Sequence, residues 1–172
     1  MDNSKAWVII LPILIGIGSI KVPRHFEYIS YIQRSEELFE FMKDFRNYQE
    51  LNPLITYINI TEEGPYHQEA EYEEYYETLP SIFMNRSKGK FLVKPHILII
   101  ESTHSTCLIM GEYYCLQSSS IKQIQDRTSE LDLSIDYECP LALIPICVVE
   151  IEKQQTKILN NIKGMFGTGR RW

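Results

Sequence analysis

Glu74 is the acid that stands out, because it interrupts an alternating pattern. Over residues 67–78, Glu69, Glu71, Glu73 and Glu77 fall on one face of a strand, and Ala70, Tyr72, Glu74 and Tyr76 fall on the other. A carboxyl on the drier face would have its charged form disfavoured and could serve as a general acid or base. Two plainer placements compete: the side chain, near a strand end, reaches the mouth of an interior cavity, or a bulge at Tyr75-Tyr76 turns it outward. His104 precedes Cys107 by three residues, a spacing that invites comparison with a nucleophile and its base. On a strand those positions face opposite ways, so the pair cannot meet without a bulge. No Gly-rich phosphate loop, G-x-S-x-G elbow or H-E-x-x-H helix is present, no catalytic residue is assigned, and the expectation is a protein that is not an enzyme.

Cys107, Cys115, Cys139 and Cys147 are even in number, so two disulfides are possible if the body enters an oxidising compartment, with connectivity open. Their spacings do not match the paired C-x-x-C knuckles of a structural zinc site, and no metal or cofactor is expected. Asn59-Ile60-Thr61 and Asn85-Arg86-Ser87 are potential glycosylation sequons, which chance alone can produce in such a chain. The formal charge of −6, with scattered Lys and Arg, argues against a nucleic-acid surface, which depends on clustered cations. The acidic stretch Glu62 to Glu77 reads as a solvated strand face.

The elements that must position these residues follow from periodicity. At 172 residues and 44% apolar content, one domain with one sizeable core is expected. Residues 1–22 form a hydrophobic segment in which the apolar run 6–20 spans roughly 22 Å as a helix, short of the ~30 Å hydrocarbon core but typical of a signal peptide. Gly16, Gly18 and Ser19 suit cleavage, whereas Lys21, Arg24 and His25 suit a retained anchor. The protein is therefore expected in the secretory pathway, secreted or membrane-anchored, with a cytosol-facing anchored form as the alternative. The domain proper is assigned to residues 23–166, with 167–172 as a tail.

Within it, residues 26–32 suit a short strand. Ser35 offers a helix N-cap, and Leu38, Phe41, Met42 and Phe45 recur at helical spacing as far as a stop at Asn52-Pro53. Strand patterns follow at 55–61, 67–78, 89–94, 96–105, 113–125 and 129–139, with residues 80–88 read as an irregular connection. The alternation is clearest at 129–139, where Leu131, Leu133, Ile135, Tyr137 and Cys139 form the dry face. A long helix is expected from near Cys147 to Phe166, with Val148, Ile151, Gln155, Ile158, Leu159, Ile162 and Phe166 inward and Glu150 among the residues lying elsewhere.

The segment Ser35-Glu36-Glu37-Leu38-Phe39-Glu40-Phe41-Met42-Lys43-Asp44-Phe45-Arg46-Asn47-Tyr48, followed by Leu51-Asn52-Pro53, resembles the entry motif of the START-like (SRPBCC) superfamily, as does the order of elements over residues 25–166. That group includes polyketide cyclase/dehydrase-like, coenzyme Q-binding and Bet v 1-like proteins. The resemblance implies an α+β helix-grip fold: a curved antiparallel sheet of about seven strands wrapped around a long C-terminal helix, with two short helices after the first strand. It also implies an elongated apolar cavity between sheet and helix. Tyr72, Glu74, Tyr76, Tyr137 and Gln155 are the candidate lining residues, the tyrosines because each joins apolar area to one polar handle. The expected function is non-enzymatic binding of a lipid or other hydrophobic small molecule, extending to its transfer at or near a membrane if the N-terminal segment is left uncleaved. The alternatives are a cyclase/dehydratase-type enzyme using Glu74 or a tyrosine, and an interaction module whose cavity its own side chains fill.

Overall fold

A computed structural model describes residues 20–76, 84–107, 115–125 and 130–166. The expected leader therefore lies outside the described residues except for its last positions, as do Glu77 and the tail 167–172. Seven strands form one antiparallel sheet: β1 (Lys21–Tyr31), β2 (Ile55–Glu63), β3 (His67–Tyr75), β4 (Met84–Lys94), β5 (Ile99–Cys107), β6 (Cys115–Gln125) and β7 (Glu130–Pro140). Their order across the sheet is β1-β7-β6-β5-β4-β3-β2, so each hairpin lays down the next neighbour and the first strand closes against the last. Between β1 and β2 lie α1 (Ser35–Met42), a 3-10 turn at Phe45–Asn47 and the short α2 (Tyr48–Leu51). The chain ends in α3 (Ile144–Phe166).

Several boundaries differ from expectation. β1 starts at Lys21, which pairs with Pro140, five residues before the strand expected from Phe26. β4 takes in Met84 to Lys88, expected as loop, because those residues pair with β3 and alternate Asn85 and Ser87 inward with Arg86 and Lys88 outward. Pro95–Ile97 is a 3-10 turn rather than the start of β5, and it ends at Leu98 in the left-handed region (φ 50°). α3 begins at Ile144, three residues before Cys147; Pro145 fits its first turn, where a backbone N–H has no intrahelical partner. Ser35 is the first residue of α1 rather than its cap, that position falling to Arg34.

The acidic strand face has a structural answer in register. Glu69, Glu71 and Glu73 of β3 stand opposite Lys90, Lys88 and Arg86 of β4 and form ion pairs at 2.6, 3.0 and 3.1 Å. Exposed pairs of this kind contribute little each, roughly 0–1 kcal/mol, and each acid of β3 is matched by a base of β4 on the same outer face. Pairing between β2 and β3 shifts near Ile55/Tyr57 and Ile60/Glu62, and such irregularities bend an edge strand.

The core lies between the concave face and the helices, with Leu38, Met42, Leu51, Ile100, Leu131 and Ile162 almost wholly buried. α3 is tied down at its C-terminal end: the Gln33 N–H donates to the Phe166 carbonyl at 3.2 Å, and the Asn161 amide donates to the Leu51 carbonyl at 2.8 Å. Disulfides join Cys107 to Cys115 across the β5–β6 pair and Cys139 of β7 to Cys147 in the first turns of α3. Among the described residues no helix is long and apolar enough to cross a membrane.

Candidate ligand cavity

A cavity of about 210 Å³ lies between the concave face of the sheet and α3. Strand alternation delivers its walls: every second residue of β3 to β7 faces inward, and α3 covers them with the stripe Cys147, Ile151, Gln155, Ile158 and Ile162. All five residues expected to line it do so, namely Tyr72, Glu74, Tyr76, Tyr137 and Gln155. Most of the wall is aliphatic or aromatic, and its polar groups gather in two places.

The first is acidic. Glu74 points inward, and its carboxyl accepts hydrogen bonds from the Asn52 amide at 2.5 Å and from the Gln154 amide of α3. Glu74 stands one residue from the end of β3, part-buried and facing the cavity, and is not turned outward by a bulge. Burial pushes its pKa up to about 7; the nearby Glu150 carboxyl adds to the rise, while the two amide donors oppose it. Glu150 itself corrects an expectation, because it is buried and lines the cavity rather than lying off the inner stripe. Beside this group the Tyr76 hydroxyl donates to Asn85 Oδ1 at 2.8 Å. Burial raises the pKa of Tyr76, and of Tyr137 still further, so both phenols stay protonated and serve as neutral donors.

The second place is basic and crosses the middle of the sheet. The Tyr72 hydroxyl meets His104 Nδ1 at 2.9 Å, His104 Nε2 meets Ser102 Oγ at 2.9 Å, Ser102 meets Ser120 Oγ at 2.7 Å, and Lys122 Nζ donates to Ser120 at 3.1 Å. Burial, with the Lys122 charge second, holds the His104 pKa down at about 3, so the imidazole is neutral and one nitrogen donates while the other accepts. Burial likewise lowers the Lys122 pKa to about 8. The ammonium lies 5.2 Å from the centre of the Tyr48 ring.

His104 and Cys107 do face opposite ways along β5. The Cys107 sulfur is bonded to Cys115, so it is no free thiol for the imidazole. The sequons separate clearly: Asn59 is exposed on the edge strand β2, whereas Asn85 is buried against Tyr76, where a glycan is incompatible with this fold. His104, Lys122, Glu150, Gln154 and Asn52 are cavity residues that sequence reasoning missed. For His104 the signal was present in strand phase, since Ile100, Ser102, His104 and Thr106 share one face; Lys122 shares a face with Leu116, Ser118, Ser120 and Ile124, which pairing with β5 and β7 fixes.

By sequence, no family model matches the chain and no curated protein matches it. By structure it is similar to the Zhui aromatase/cyclase from Streptomyces sp. R1128, with a TM-score of 0.62 at 13% identity over 84% of this chain and 93% of that one. It is also similar to major latex-like protein 151 from Panax ginseng (TM-score 0.59, 11% identity, 84% and 98% covered) and to Ara h 8.0201 (TM-score 0.54, 14% identity, 85% and 97% covered). The fold is thus the START-like, Bet v 1-like helix-grip fold. Cyclases and plant proteins of other names share it, so it defines a scaffold around a cavity rather than one activity.

Proposed function

We propose that the chain binds a hydrophobic small molecule or lipid in the cavity between sheet and α3, without converting it chemically. One observation carries this reading: the space between the sheet and its helix is open rather than filled by side chains, and its wall is mainly apolar with a few inward polar groups. The lining by Tyr72, Tyr76, Tyr137 and Gln155 supports it, because these side chains give contact area with hydrogen-bonding tips. The hydrophobic N-terminal sequence and the two disulfides support a secretory setting, in which an anchor would place the cavity close to its source of ligand. Sensitivity of Asn59 to glycosidase would place the body in the lumen, and its absence together with free thiols would place it in the cytosol.

The test is native mass spectrometry with solvent extraction on the full chain purified from animal cells. A discrete co-purifying apolar molecule is expected. A clean apo mass, unchanged after exposure to mixed membrane lipids, would overturn the reading and favour an interaction module.

A second reading, cyclase-type catalysis on a bound hydrophobic substrate, is favoured by the Glu74 carboxyl, whose pKa near neutrality suits proton transfer. Glu74→Gln would spare binding under the first reading and abolish turnover under the second.

A further inference from the structure

We propose that Lys122 and Tyr48 form an anion-binding pole at which the cavity selects amphipathic ligands carrying a carboxylate. The inference rests on the container reading and specifies what the container prefers.

Lys122 is only 9% exposed, and no carboxylate among the described residues pairs with it. Among the described residues its polar partners are one serine hydroxyl and the face of one aromatic ring, which leaves donor capacity on a group with three N–H bonds and a full charge. Such a group is costly to enclose unless something supplies a counter-charge. Tyr48 gives an independent sign. It is 8% exposed and lines the same cavity, and its hydroxyl oxygen has no hydrogen-bond partner among the described residues. An ammonium with spare donors lies 5.2 Å from the centre of the Tyr48 ring, whose hydroxyl also lacks a partner, and the two unmet groups together suit a single oxyanion.

The surroundings narrow the class. The lining contains no arginine, and one ammonium with one hydroxyl offers charge and donors for a monoanion rather than for a doubly charged phosphate. Lys122 pairs in register with Ile100 on β5 and Leu133 on β7, so the pole is set in an aliphatic wall that suits a hydrocarbon body. The opposite polar group, Glu74 with Glu150, repels an anion and fixes polarity: the carboxylate goes to Lys122, and a hydroxyl or other donor on the ligand goes towards Glu74.

The experiment is isothermal titration calorimetry on the full chain with straight-chain acids from octanoic to hexadecanoic, each compared with its methyl ester. For the best-fitting length the acid is expected to bind at least about tenfold more tightly than the ester. Lys122→Met should erase that ratio, and Tyr48→Phe should reduce it about threefold. Esters binding as tightly as acids to the wild-type chain would overturn the anionic pole while leaving the container reading intact. A ratio unchanged in Lys122→Met would do the same. Failure of every acid and ester to bind would overturn the anionic pole, while the container reading stands or falls on the co-purifying molecule. The acid-to-ester ratio in the wild-type chain decides the matter even if a variant does not fold.

Discussion

Gln154 of α3 donates its side-chain amide to the carboxyl of Glu74 on β3, eighty residues earlier, and so joins helix to sheet through a polar contact inside the cavity. Because burial lifts the Glu74 pKa from an ordinary 4.5 to about 7, the folded chain holds a proton there that the unfolded chain releases. The contribution to stability is therefore full below about pH 4.5 and is lost as pH rises to about 7, the reverse of a salt-bridged carboxylate. Glu74 keeps some surface open to the cavity, so the effect is roughly 2 kcal/mol rather than the full value of the shift. Glu74→Gln should remove this slope: denaturant titrations at pH 5 and pH 8 are expected to show little change at the lower pH and a gain over wild type at the higher.

Gly89 of β4 faces inward against the rings of Phe91 and His104, and a Cβ there would lie 2.9 Å from a Phe91 ring carbon and 3.0 Å from His104 Nδ1. Both rings are packed in the aromatic cluster around Phe45, so neither can swing aside freely. Gly89→Ala should cost about 1–3 kcal/mol and shift His104 away from the Tyr72 hydroxyl. Thermal unfolding checks the first effect, and the His104 ring resonances in NMR check the second.

The Cys139–Cys147 bridge closes a chain separation of eight residues and fastens the start of α3 to β7 beside the cavity. Loop-closure entropy for so short a ring gives about 2–3 kcal/mol. The double substitution Cys139→Ala with Cys147→Ala is expected to lose that much in a urea titration and to loosen the first turns of the helix, visible as faster amide exchange there. Peptide mapping under non-reducing conditions should recover the 139–147 and 107–115 pairs and no others.

Much of this architecture is legible in the chain because local pattern and global fold agree. The 129–139 alternation fixes which face of β7 is dry, and the same period places Ala70, Tyr72 and Glu74 on the cavity side of β3. Lys122 was illegible for a physical reason: Ser118-Ser119-Ser120 gives no phase, and Ile121 and Ile124 point to opposite faces, so only pairing with β5 and β7 decides that Ile121 is outside and Lys122 inside. Glu150 was hidden because a helix stripe wide enough to grip a curved sheet takes in positions beside its apolar centre. Met84 to Lys88 looked like loop because basic residues alternate there with Asn85, Ser87 and Gly89, small or polar residues that face the cavity side.

Lys122 also makes a prediction that needs no ligand. Its pKa falls from 10.5 to about 8 on burial, so at pH 7 the folded chain encloses an ammonium that the unfolded chain solvates freely. A depressed lysine pKa destabilises below about pH 8, and that penalty disappears as pH rises towards 10.5. Lys122→Met keeps the length of the side chain and removes the charge, while Ser120 retains its bond to Ser102. The variant should therefore be more stable than wild type at pH 7, by roughly 2–3 kcal/mol, with the difference shrinking as pH rises above 8. Paired urea titrations at pH 7 and pH 9.5 measure it. A core position where the native residue costs stability is the pattern expected when the charge serves a bound partner rather than the fold; a variant less stable than wild type at both pH values would mean instead that the ammonium holds the sheet interior together.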